Sequence, residues 1–192
     1  MTKKTTASSF DIQGQILVSM PGMKDPRFKD SLILLCGHDE NGAMGIVVNK
    51  VIDNVFLKDI IDQMDLGDVE NIPDEAIHYG GPVEIGRGFV LHTTDCLHKS
   101  SVQITDDIAL TASTEIFKDV VKNKGPDHML IALGYAGWSS GQLESELMEN
   151  SWLTLPADAS ILFDNNPQTL WERTLKKFGI DPNCISPHAG RA

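Results

Sequence analysis

The sequence predicts an α+β fold in which about four helices pack on a bent antiparallel sheet. Three observations carry this. Short apolar runs rich in β-branched residues outnumber stretches of helical periodicity. Strand-like and helix-like segments rarely alternate, which argues against a doubly wound sheet. The first three runs are joined by 12 and 8 residues carrying Pro, Gly, Asp and Asn, a connector composition that suits antiparallel turns better than helical crossovers.

The elements follow in order. Residues 1–10 are polar at the start and read as frayed. Gln15–Ser19, Leu32–Cys36 and Gly45–Asn49 read as strands. Asn54 is placed to cap a helix whose stripe is Phe56, Leu57, Ile60, Ile61 and Met64. After an acidic loop from Leu66 to Glu75, Ile77–Tyr79, Gly88–His92, Val102–Ile104 and Ile108–Leu110 read as short strands. Ser113 can cap a second helix with Ile116, Phe117, Val120 and Val121 inward, ended by Gly125-Pro126. His128–Leu133 is the most apolar strand of the second half, a third helix spans Ser140–Asn150, and Trp152–Leu155 is a strand. Asn166 caps the fourth helix, Pro167 takes its first turn, Leu170, Trp171, Leu175 and Phe178 face inward, and Gly179 stops it.

The 192 residues are expected to form one domain, 1–192. Apolar residues are 41% and charged residues 22%, an ordinary globular composition that excludes disorder and fibrous repeats. Net charge is −11. It is spread evenly: 8 basic and 15 acidic residues lie in 1–96, and 8 and 12 in 97–192. Nucleic acid is therefore an unexpected partner, as is an anionic membrane. Cys36, Cys96 and Cys184 form no CxxC, the N-terminus carries no secretory h-region, and no apolar run approaches the roughly 18 residues of a membrane span. A cytoplasmic protein with free thiols is expected.

Several glycine-bearing turns have distinctive wording. Gly14-Gln-Ile-Leu-Val-Ser-Met-Pro21 precedes Asp25-Pro26, Cys36-Gly-His38 and Gly42-Ala-Met-Gly-Ile-Val-Val-Asn-Lys50. Gly80-Gly-Pro-Val83, Arg87-Gly-Phe-Val-Leu-His92, Leu133-Gly-Tyr-Ala-Gly-Trp138, Gly141-Gln-Leu-Glu144, Glu146 and Asn150-Ser-Trp152 follow. In this order, from Gly14 to the C-terminus, they resemble the YqgE/AlgH family of bacterial proteins. The resemblance implies a small cytoplasmic protein with a bulged antiparallel sheet bent towards a half-barrel. It implies no established activity, although one family name reflects a proposed role in transcriptional regulation. Two departures stand out: Val51 where a proline is usual, and a tail of Ala189-Gly190-Arg191-Ala192 where Gly-His-Ala is usual.

Four constellations bear on chemistry. Gly137-Trp-Ser-Ser-Gly141 is a literal G-x-S-x-G, with Asp158, Asp164, Asp181 and His188 downstream. A capping arrangement explains it more simply: Ser139 caps and Gln142 reaches back. An elbow also needs the strand to run into the serine, whereas Gly134–Trp138 intervene. Cys36-x-His38 and His92-x3-Cys96-x-His98 offer five N/S donors, but their spacing matches no common zinc motif, so no metal is expected. Gly86-x-Gly88 lacks the third glycine of a dinucleotide fingerprint and there is no GKS/T, so no cofactor is expected. Gly80-Gly-Pro-Val can present backbone N–H groups to an anion beside Arg87, but a tight glycine turn is the simpler reading. Gly80–His92 and Leu133–Glu144 are expected to meet and form the main functional surface. Its candidate binding residues are Gly80, Gly81, Arg87, His92, Trp138, Gln142 and Glu144; Cys36 and His38 form a second candidate cluster.

The reading that follows is a non-catalytic binding or regulatory protein with a protein or small-molecule partner. Two alternatives stand beside it. One is an enzyme using His/Cys chemistry near Cys36, His38 and His92. The other is a transcriptional regulator, suggested by the family name and opposed by the net charge.

Overall fold

The computed structural model describes residues 12–64, 66, 72–181 and 184. The expected frayed start, much of the acidic loop and the tail with His188 lie outside them. The described chain is an α+β structure whose antiparallel sheet curls into a half-barrel, with five helices packed on it rather than four.

The strands are β1 (Gln15–Ser19), β2 (Leu32–Asp39), β3 (Gly42–Val47), β4 (Val51–Phe56), β5 (Ala76–Tyr79), β6 (Val83–Thr93), β7 (Ser101–Gln103), β8 (Ile108–Thr111), β9 (Met129–Ser139) and β10 (Trp152–Pro156). The helices are α1 (Leu57–Gln63), α2 (Glu115–Val120), α3 (Gln142–Met148), α4 (Ala159–Leu162) and α5 (Leu170–Lys177). The main path of the sheet is β10-β1-β2-β3-β9-β6-β8-β7, and β4 and β5 attach beside β9. Among the described strands, only the β5–β9 pairing is parallel.

Alternation along the strands separates two cores. Ile16, Val18, Leu32, Leu34 and Cys36 face one way, under α4 and α5. Leu17, Ile33 and Leu35 face the other way, with Trp138, Trp152 and Leu143 of α3. A third core joins α1 and α2 to Ile77, Val90 and Ile131. Burial of each such Leu or Ile side chain contributes about 1.5–3 kcal/mol.

Several expectations change. Asn54 is not a helix cap. It lies in β4 at φ 59°, and α1 starts later because the Asp59 carboxylate accepts from the Phe56 N–H at 2.8 Å. Phe56, assigned to the helical stripe, ends β4 and is exposed. The α4 turn lacked a periodic signal because it is four residues long; Asp158 caps it through Ser160 N–H. Pro167 opens a single 3-10 turn before α5, and Phe178 lies at the exposed margin while Leu170, Trp171 and Leu175 are buried.

β9 is the spine of the sheet, and it changes partners at Gly134. Residues 131–133 pair with β5 on one edge, and residues 136–139 pair with β3. Gly134 adopts φ 74°, and a Cβ there would overlap the Gly81 carbonyl oxygen, so only glycine suits this kink. Opposite it, β6 steps from Val83 to Gly88 while β9 steps only from Tyr135 to Leu133. The surplus residues of β6 arch outwards. A second bulge separates Leu35 from Gly37 in β2.

Candidate binding cleft beside strand β9

The bulged strand β6 on one side and the β2–β3 hairpin on the other border the end of β9 and leave a cleft of about 610 Å³ between them. One wall is the β2–β3 hairpin with Asp39, Asn41 and Met44. The other is the β6 arch with Val83, Arg87 and Phe89, and Tyr135 of β9 lies between. Phe89 and Tyr135 meet edge to face at 5.9 Å. The Arg87 guanidinium lies 5.1 Å from the Phe89 ring centre and donates to Glu84 at 3.0 Å. The Asp39 carboxylate accepts from the Asn41 N–H at 2.7 Å, which sets the hairpin turn.

His38 and Trp138 also border the cleft, but their side chains belong to the other face. His38 pairs with Ala43, and Ala43 pairs with Trp138; directly paired residues share a face. That face is covered by α3. There His38 Nε2 meets Glu144 Oε1 at 2.7 Å. Its own backbone N–H and then the His38 ring hold the Glu144 carboxyl below its ordinary value. Glu146 is the larger hub. Its Oε2 accepts from the indole N–H groups of Trp138 at 2.9 Å and Trp152 at 2.7 Å, and its Oε1 accepts from Gln142 at 2.9 Å.

The segments 80–92 and 133–144 do meet, through the β6–β9 pairing and the Gly80 N–H to Leu133 carbonyl bond. Their candidate side chains do not converge on one surface. Arg87 stands in the cleft. Trp138, Gln142 and Glu144 are bound up with α3. His92 is fully buried: Nε2 bonds the Thr111 hydroxyl at 2.8 Å and Nδ1 the Thr93 carbonyl at 2.8 Å, because β8 pairs across β6 at that point. Burial pushes its pKa down despite the Thr93 bond. Gly80 and Gly81 are buried, and a Cβ on either would overlap β9 backbone. They are packing residues. Asp39, Asn41, Met44 and Tyr135 were missed; strand alternation singled out none of them, since the cleft depends on register.

The thiol and serine chemistry can be placed as well. Cys36 is buried, its thiol lies 3.5 Å from the Leu34 carbonyl, and burial pushes its pKa up to about 12, far from a usable thiolate. It does not join His38, whose ring faces α3. The strand does run unbroken into Ser139, contrary to expectation, because the Gly134 kink does not end β9. The Ser139 Oγ nevertheless donates to Gln142 Oε1 at 3.2 Å, and Gln142 reaches back to Ser139 N–H at 3.1 Å. The cap position is Gly141 at φ 74°, not Ser139. Asp158 and Asp164 are held by Lys177 and Arg173.

Comparison with known proteins fits this architecture. A family model described as AlgH-like (DUF179) matches residues 16–183. The chain belongs to that family. A UPF0301 protein from Paracoccus denitrificans is 43% identical over 187 residues, covering 96% of this chain and 98% of the relative. One from Vibrio parahaemolyticus is 42% identical, covering 95% and 100%. The solution structure of AlgH from Pseudomonas aeruginosa is similar with a TM-score of 0.75 and 34% identity, over 98% of this chain and 100% of that one. A crystal structure from Corynebacterium diphtheriae shares the fold, with a TM-score of 0.70, 21% identity, and 88% and 87% coverage. No helix among the described residues is long and apolar enough to cross a membrane.

Proposed function

We propose that this chain is a non-catalytic binding protein and that the cleft beside β9 holds its ligand. The observation that carries the reading is the lining. Met44, Phe89 and Tyr135 offer an apolar, partly aromatic floor, while Asp39, Asn41 and Arg87 stand at the sides. About 610 Å³ is the size of ordinary small-molecule sites, where an apolar floor supplies affinity and a few polar groups supply orientation. The ligand class that suits it is a small molecule or peptide side chain with a planar apolar body and polar ends. The Tyr135 hydroxyl, which bonds no described residue, is available to such a ligand. The buried Cys36 thiol and the internally bonded Ser139 and His92 favour binding over catalysis.

The test is a thermal-shift screen of small metabolites against the wild type, Arg87→Ala and Asp39→Ala. Compounds that raise the wild-type melting temperature are expected to lose their effect on both variants. Undiminished shifts on both would place the ligand elsewhere.

A further inference from the structure

Away from the cleft, the turn after β6 brings a cysteine and a histidine against α2. Cys96 Sγ lies 3.9 Å from His98 Nε2, and Asp119 Oδ2 lies 3.3 Å from the same nitrogen. All three donor atoms fall within 4.8 Å of one another. Asp119 is 23 residues from Cys96, on α2, so the group is assembled by the fold.

The use of a single nitrogen decides between two chemistries. A Cys–His–Asp relay needs the thiol and the carboxylate on opposite ring nitrogens, since one passes the proton and the other orients the ring. Here both address Nε2. A single N–H there can serve only one acceptor well, but a cation in front of Nε2 can take all three donors. Zinc bonds sulfur at about 2.3 Å and nitrogen or oxygen at about 2.0–2.2 Å, so a tetrahedral ion separates S from N by about 3.6 Å and N from O by about 3.4 Å. The observed 3.9 and 3.3 Å lie within about 0.3 Å of these separations, and the sulfur and the carboxylate oxygen, within 4.8 Å of each other, close to about 3.6 Å when both bind.

The turn is already held in place. His98 N–H donates to Ser101 Oγ at 2.9 Å, Ser101 N–H returns to the His98 carbonyl at 3.0 Å, and Asp127 N–H binds the Asp95 carboxylate at 3.0 Å. The donors are half-buried, the His98 side chain 15% and the Asp119 side chain 35% exposed, which leaves a side open to solvent. We propose that Cys96, His98 and Asp119 form a three-ligand site for a zinc-class divalent cation, with a fourth position open to water or an exogenous ligand. The mixed S, N and O donors select this class over magnesium or calcium.

The experiment uses untagged, metal-free protein with its thiols reduced, titrated with Co²⁺ and then Zn²⁺. The expected result is one equivalent bound, a thiolate-to-cobalt charge-transfer absorption, and its displacement by Zn²⁺. Cys96→Ser should abolish the charge-transfer band, and Cys184→Ser should leave it intact. His98→Ala should weaken Co²⁺ by at least about 100-fold, the upper end of what even an outer-shell partner costs. Asp119→Asn keeps the shape of α2, so it guards against a misfolded Cys96 variant; it should weaken Co²⁺ at least tenfold. Absence of stoichiometric binding by the wild type overturns the site. So does unchanged binding by both Cys96→Ser and Asp119→Asn in variants whose circular dichroism is native.

Discussion

The two faces of β9 near Tyr135–Ser139 treat polar side chains in opposite ways. On the α3 face, Glu146 gathers two indole N–H groups and an amide, and Glu144 takes His38. On the cleft face, Arg87 and Glu84 pair with each other while each stays about half exposed, and Asp39 serves its own turn. Two residues a few positions apart in sequence can therefore have unrelated duties. A polar group gathered in by the fold is a stability element. One left facing an open concavity is free to meet something else. Buried charge-assisted bonds are the costly ones to break, and exposed pairs contribute little.

That contrast can be broken or sharpened by substitution. The largest effect should come from the strand that both faces share. Gly81→Ala would force a Cβ into the Tyr135 backbone at a φ of 152°, and it should cost about 3 kcal/mol or more in urea denaturation. Next comes the closed face. Glu146→Ala strands two indole N–H groups and should cost about 2–3 kcal/mol, with Glu146→Gln losing less because one acceptor oxygen remains. A loss below about 1 kcal/mol for the alanine variant would mean that the hub is decorative.

The Glu144 carboxyl gives a pH handle on the same face. Because it is held below its ordinary 4.5 in the folded protein, its contribution is present above that value and fades as pH falls through the lowered one. The stability gap between wild type and Glu144→Gln should therefore shrink on acidification below pH 4.5. The gap itself should stay under about 1 kcal/mol, since the side chain is 37% exposed and solvent-screened. A gap that persists unchanged in acid would show that folding does not lower the Glu144 pKa. The smallest effect belongs to the cleft: Arg87→Ala should lie within about 0.5 kcal/mol of wild type, and Asp39→Ala, which also loses the Asn41 N–H bond of the hairpin turn, within about 1 kcal/mol. A loss above 1 kcal/mol in either would erase the distinction between the two faces.

The strands were legible wherever alternation or an apolar run met a turn signal, and β1 falls on its expected bounds, Gln15–Ser19. Asn54 misled because an asparagine before an apolar stripe looks the same whether it caps a helix or sits at positive φ in a strand end. The site was legible only in part. Arg87 lies in the expected surface, but its position depends on the β6 arch, a register shift that no local pattern records. His92 looked like a strand-end anchor, yet the pairing of β8 beside it turns it into core. Asp119, the carboxylate of the proposed cation site, was out of reach for a related reason: it comes from α2, 23 residues beyond Cys96, and no local spacing links the two.

The pairing of β1 with β10 has a consequence for how the chain is made. Gln15 lies opposite Pro156 and Ser19 opposite Trp152, so the first described strand waits for one synthesised nearly 140 residues later. During translation β1 can join β2 early, but its outer edge stays bare until residues 152–156 leave the ribosome. That edge carries Ile16, Leu17 and Val18, an apolar ladder able to recruit another chain. A nascent or truncated product ending before Trp152 is thus the sticky form of this protein, and folding that closes on so distant a partner is slow as well.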